Sequence, residues 1–192
     1  GTMAGLALTQ MGRYRGRLIF TGIIAAPLVM PEVITGLSLL LMFVSLQELI
    51  GWPVSRGAST ITIAHITFSM AYVAVVVQSR LSSMDQSLQE AAMDLGGRPA
   101  QVAFDITLPL IAPSMLSGWL LAFTLSLDDL VIASFTSGAG ASTLPMVIFS
   151  KIKLGVTPDI NALATLIIGT VSIGIIIASW IMFRQSNRNE AG

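Results

Sequence analysis

Four stretches of this chain are apolar, nearly free of charge and long enough for a helix to cross a bilayer, and no other feature restricts its fold as severely. A hydrocarbon core about 30 Å thick takes roughly 20 helical residues to traverse. Residues 18–46 hold one charge, Glu32; residues 58–79 hold none besides His65; residues 106–127 and 160–183 hold none. Inside lipid every backbone N–H and C=O must find its partner within the protein, which favours a bundle of helices. The expectation is an all-α, polytopic integral membrane protein forming one transmembrane domain over residues 1–192, with spans at 18–46, 58–79, 106–135 and 160–183. Residues 1–12 are uncharged but too short to cross, and they read as the tail of a partial first span cut off upstream. A secretory signal would carry its basic residues ahead of the apolar stretch, whereas here they follow it.

Composition closes several other routes. Of 192 residues 54% are hydrophobic and 10% charged, against roughly 25% charged in soluble domains. Ten basic residues balance ten acidic ones, so no positive excess exists to neutralise nucleic-acid phosphates. With no cysteine and a single histidine, the chain has no disulfide framework, no Cys/His metal site and no thiol nucleophile, and hydrolase chemistry lacks its parts. No G-x-x-x-x-G-K-[ST] occurs, so the chain needs no cofactor of its own and must borrow ATP-derived energy from another subunit if it uses any.

Charge position gives an orientation. Arg13, Arg15, Arg17, Arg80, Arg98, Arg184 and Arg188 share one side if the spans alternate, and Arg56, Lys151 and Lys153 the other. By the positive-inside rule the first side is cytoplasmic, the C-terminus with it. Residues 82–105 then lie in the cytoplasm and 136–159 form an outward loop whose Gly138 and Gly140 interrupt a further span and leave a short amphipathic helix at the mouth. Gly169, Ser172 and Gly174 would let the last span pack closely.

The cytoplasmic segment is too patterned for a simple loop. Ser83 and Gln86 are spaced as a capping box, Asp85 suits a first turn, and Leu88, Ala92 and Leu95 fall on one helical face. Gly96-Gly97 stops that helix, and Pro99 suits the first turn of another. Such an amphipathic elbow fits either a groove in a partner protein or the lipid interface.

Glu90-Ala91-Ala92, three residues, Gly96, nine residues, then Ile106-Thr107-Leu108-Pro109 matches the EAA signature of membrane subunits of bacterial ABC importers. Most of the remaining chain, including APLVMPEVITGLSLLLMF and SGWLLAFTLSLDDLVIASFTSG, resembles the permeases of spermidine/putrescine importers, the putrescine type most closely. The resemblance implies a type I importer permease fold of about four full spans plus a partial one. It implies an elbow whose Glu90, Ala91, Ala92 and Gly96 dock on an ATPase. It further implies a second permease subunit, two ATPase subunits, a periplasmic polyamine-binding protein and residence in the inner membrane.

Charges inside spans are costly and are functional candidates by default. Glu32 lies about midway along residues 18–46, beside Pro27 and Pro31, where a broken helix can line a cavity or the carboxyl can pair with a neighbouring helix. Asp128 and Asp129 lie about 25 Å along their span, toward its outer end, where carboxylates also occur simply as headgroup-level residues. An amine near a carboxylate at about 4 Å gains on the order of 4 kcal/mol at an effective dielectric near 20, enough to hold a polycation transiently. Adjacent helical residues diverge by about 100°, so one aspartate at most is expected to face the path while the other caps or pairs. Trp119, and with less weight Phe123 and Tyr72, are candidates for cation-π contact. His65 is expected to be hydrogen-bonded within the bundle. The competing functions are an importer permease for iron, thiamine or an anion, a proton-coupled carrier using Glu32 and His65, and a membrane scaffold.

Overall fold

Proline and aspartate decide where the apolar stretches are cut into helices. In the computed structural model, which describes residues 1–11, 15–85, 87–155, 158 and 160–173, the sequence forms α1 (Thr2–Gln10), α2 (Arg17–Val29), α3 (Glu32–Ile50), α4 (Ala58–Ser82), α5 (Ser87–Asp94), α6 (Pro99–Val102), a π turn (Ala103–Thr107), α7 (Leu108–Asp128), α8 (Val131–Thr136), α9 (Leu144–Leu154) and α10 (Ile160–Ile173). Arg13, Gln86, Gly174, Arg184 and Arg188, with residues 174–183 of the last expected span, lie outside the described residues.

The single span expected over 18–46 is two helices. Met30 precedes Pro31 and sits at φ −77°, ψ 136°, because the proline ring disfavours helical geometry in the residue before it and brings no N–H of its own. Glu32 therefore opens α3 rather than lying midway along a helix, and its carboxylate meets the positive end of that helix dipole. The stretch 106–135 is likewise interrupted, at Asp129-Leu130 between α7 and α8. Glu32–Ile50, Ala58–Ser82 and Pro99–Asp128 are each long and apolar enough to cross a membrane.

The two compact units are Gly1–Met146 and Val147–Gly192. In the first, α4 is the axis. Ala4, Leu8 and Ile24 of α1 and α2 pack on its Ala74; Ile111 of α7 packs on Val77 and Leu81; Leu39, Phe43 and Ile132 of α3 and α8 pack on Ala64 and Phe68. Alanines at 64, 71 and 74, all fully or almost fully buried, let these neighbours approach. The outer faces carry exposed Leu18, Val29, Leu41 and Leu116, the arrangement of a protein whose solvent is lipid. Thr60, at the first turn of α4, donates to the Thr136 carbonyl at 2.6 Å and so ties α4 to the end of α8.

The α3–α8 contact depends on Gly36. A Cβ there would lie 2.8 Å from the Phe135 ring and 3.3 Å from the Ile132 backbone. Gly36→Ala is expected to cost about 1–3 kcal/mol, as overpacking usually does, and to lower the melting temperature of the purified protein. A thermal shift equal to wild type would show that the ring yields freely.

In the second unit, the stretch of α9 from Val147 onward carries Lys153 with its ammonium 4.7 Å from the centre of the Phe149 ring. The helix expected within residues 136–159 is therefore present.

Candidate functional site

Two groups of residues stand apart from the lipid-facing surface: the elbow between α4 and α7, and the break between α7 and α8. The elbow starts later than the Ser83 capping box predicts. Ser83 closes α4, its hydroxyl donating to the Arg80 carbonyl at 2.9 Å. Asp85 instead receives the N–H of Ser87, the first residue of α5, at 2.9 Å, and this hydrogen bond holds the Asp85 carboxyl below the usual carboxylate range. At the other end Gly97 N–H reaches the Ala92 carbonyl and Gly96 N–H the Met93 carbonyl, the paired bonds of a Schellman stop. That stop requires a left-handed residue, which Gly96 supplies at φ +87°.

The elbow helix turns Gln89 inward, where its side-chain amide donates to the Thr107 hydroxyl at 3.2 Å. Leu88, Glu90, Ala91 and Leu95 are left exposed, with Ala92 half-buried. The root of α7 is a π turn because Pro109 cannot donate to the Asp105 carbonyl and its ring crowds it.

At the second group, Asp129 is buried and Asp128 exposed. The Asp129 carboxylate accepts from the backbone N–H of Ile132 at 3.2 Å and of Ala133 at 2.7 Å, satisfying donors at the start of α8. His65 of α4 completes the set: Nε2 lies 3.0 Å from Asp129 Oδ2 and Nδ1 lies 2.7 Å from Ser126 Oγ. Histidine is thus hydrogen-bonded within the bundle, and of the two aspartates Asp129 is the one that caps and pairs.

Trp119 and Phe123, stacked with ring centres 5.7 Å apart, line a cavity of about 400 Å³ between α4 and α7 whose polar edge is Thr62, His65, Ser69 and Ser126. Tyr72 lies elsewhere, edge-on to Phe68 and packed on the α3–α4–α8 core. Glu32 is exposed at the head of α3. Ser126, Gln89 and Thr107 escape the sequence reading. Ser126 had one signal, its place three residues before Asp129 on the same helical face.

Helices long and apolar enough to cross a membrane, an exposed amphipathic elbow and a carboxylate-bearing helix break are the features of a membrane-embedded helical subunit. The chain belongs to the binding-protein-dependent transport system inner membrane component family, whose profile matches residues 1–190. It is 62% identical over 188 residues to the putrescine transport system permease protein PotI of Escherichia coli K12, covering 98% of this chain and 67% of that one. It is 39% identical over 187 residues to the spermidine/putrescine transport system permease protein PotC of Haemophilus influenzae, covering 97% and 70%. Against PotC of Escherichia coli K12 it is 36% identical over 192 residues, covering 100% and 70%. These relatives are permease proteins of transport systems, and all are longer than this chain.

Proposed function

We propose that this chain is one of two permease subunits of an ATP-driven polyamine importer in a bacterial cytoplasmic membrane, with its C-terminus in the cytoplasm. The observation that carries the cargo assignment is the 62% identity to a putrescine permease along nearly the whole chain. A sister permease supplies the other half of the path, two separate ATPase subunits supply the energy, and a periplasmic polyamine-binding protein delivers the solute. Glu90, Ala91, Ala92 and Gly96 form the ATPase-docking elbow; in support, the elbow helix is exposed and ends in a rigid glycine stop.

Along the path, Asp128, Glu32 and Trp119 meet the polyamine, while Asp129 caps α8 and pairs with His65. Exposed carboxylates at two helix ends replace the hydration of successive ammonium groups, while the Trp119-Phe123 pair offers an apolar wall for methylenes and a π face for an amine. Docking and release of ATP-driven partners at the elbow would move α7 through its direct continuation from the π turn.

The test is ATP hydrolysis and uptake by the full-length chain reconstituted with sister permease, ATPase and binding protein. Putrescine or spermidine is expected to stimulate hydrolysis and to accumulate only with ATP. An assembled ATPase indifferent to polyamines would overturn the cargo, and accumulation driven by a proton gradient without ATP would favour a secondary carrier.

A further inference from the structure

The histidine at the centre of the bundle has a role that the path residues do not explain. Asp129 breaks the run from α7 to α8, and a break of two residues between a 21-residue helix and a 6-residue one is a weak point unless something crosses it. His65 crosses it from α4. It contacts Ser126 in the last turn of α7 through Nδ1 and the Asp129 carboxylate at the head of α8 through Nε2. A carboxylate only accepts, so Nε2 carries a hydrogen; with the ring neutral, Nδ1 then has none and receives the Ser126 hydroxyl hydrogen. Ser126 itself borders the cavity that Trp119 and Phe123 line. Asp128, the last residue of α7, lies between the two held positions, so its direction is set by the same clamp.

We infer that His65 is a positioning residue: by clamping Ser126 and Asp129 with its two ring nitrogens it fixes the bend at which Asp128 meets an ammonium group. The inference rests on the polyamine reading for its transport consequence, but its geometry is independent of cargo. His65→Leu removes both contacts. His65→Gln keeps a donor and an acceptor about as far apart as the ring nitrogens, and His65→Asn reaches Ser126 but falls short of Asp129.

In the reconstituted transporter, His65→Leu and His65→Asn are expected to raise the KM for putrescine about tenfold, the size of one lost charge-assisted hydrogen bond, with maximal uptake little changed, and His65→Gln is expected to restore most of the affinity. A role in packing alone would lower the amount of assembled transporter and the maximal rate while leaving KM alone, and it would not separate asparagine from glutamine. Should His65→Leu fail to assemble, the asparagine and glutamine pair carries the comparison. Equal KM across the series overturns the inference. The ¹⁵N difference spectrum between wild type and His65→Gln tests the clamp whatever the cargo: an Nε2–H tautomer with an acceptor Nδ1 is expected, and the opposite tautomer overturns it. Failure of wild type to transport putrescine, with the expected tautomer present, would instead count against the polyamine reading.

Discussion

Glu90→Ala is expected to leave the permease folded in the membrane and to abolish polyamine-stimulated ATP hydrolysis. The helix that carries Glu90 spends none of its residues on the protein's own core, so truncating that side chain removes nothing that holds the bundle together. What it removes is a carboxylate in the first turn of an eight-residue helix, fixed by Asp85 on one side and the Gly96-Gly97 stop on the other. A desolvated charge at the centre of a docked interface costs about 2–5 kcal/mol when truncated, or roughly 30-fold to several thousand-fold in affinity. Co-purification of the ATPase and stimulation of its hydrolysis by putrescine both measure this. Ser87→Ala, at the foot of the same helix, is the comparison and is expected to lose far less. Undiminished stimulation in Glu90→Ala would remove the elbow from the coupling route and favour its reading as an interfacial helix.

The elbow was legible in the sequence because its information is local: a residue spacing, a glycine that must be left-handed, a proline that suits a first turn. Even there the capping box was misplaced, since Ser83 serves the helix that ends beside it, and a hydroxyl at a junction between two helices is equally suited to either by composition. The two helix breaks were half legible. Pro31 cuts the stretch 18–46 for a reason visible in the sequence, yet an apolar run long enough to span still reads as one element until the extended Met30 divides it. The break at Asp129 was legible only as the expectation that one of the two aspartates caps or pairs, because its carboxylate is satisfied by His65, 64 positions away, and by N–H groups that are free only once the break exists. Sequence distance hides the partner, and the partner is what distinguishes a capping aspartate from one facing a path.

The neighbouring aspartates are expected to fail in opposite ways. Asp129→Ala leaves the N–H groups of Ile132 and Ala133 and the His65 Nε2 hydrogen without an acceptor in a buried site. Breaking a buried charged network from one side costs about 3–5 kcal/mol, so little assembled transporter should survive purification and what survives should melt early. Asp128→Asn removes a charge from an exposed side chain that caps nothing. Its protein is expected to assemble and melt like wild type, while putrescine uptake falls by about tenfold or more, since one ammonium–carboxylate contact at intermediate dielectric is worth on the order of 4 kcal/mol before its desolvation cost. Thermal melting and uptake, measured on both variants, separate the roles. Normal uptake in Asp128→Asn would take that residue out of the path. A stable Asp129→Ala protein with weakened uptake would mean that the buried carboxylate, and not its exposed neighbour, meets the solute, which would require α8 to swing away from His65 during the transport cycle.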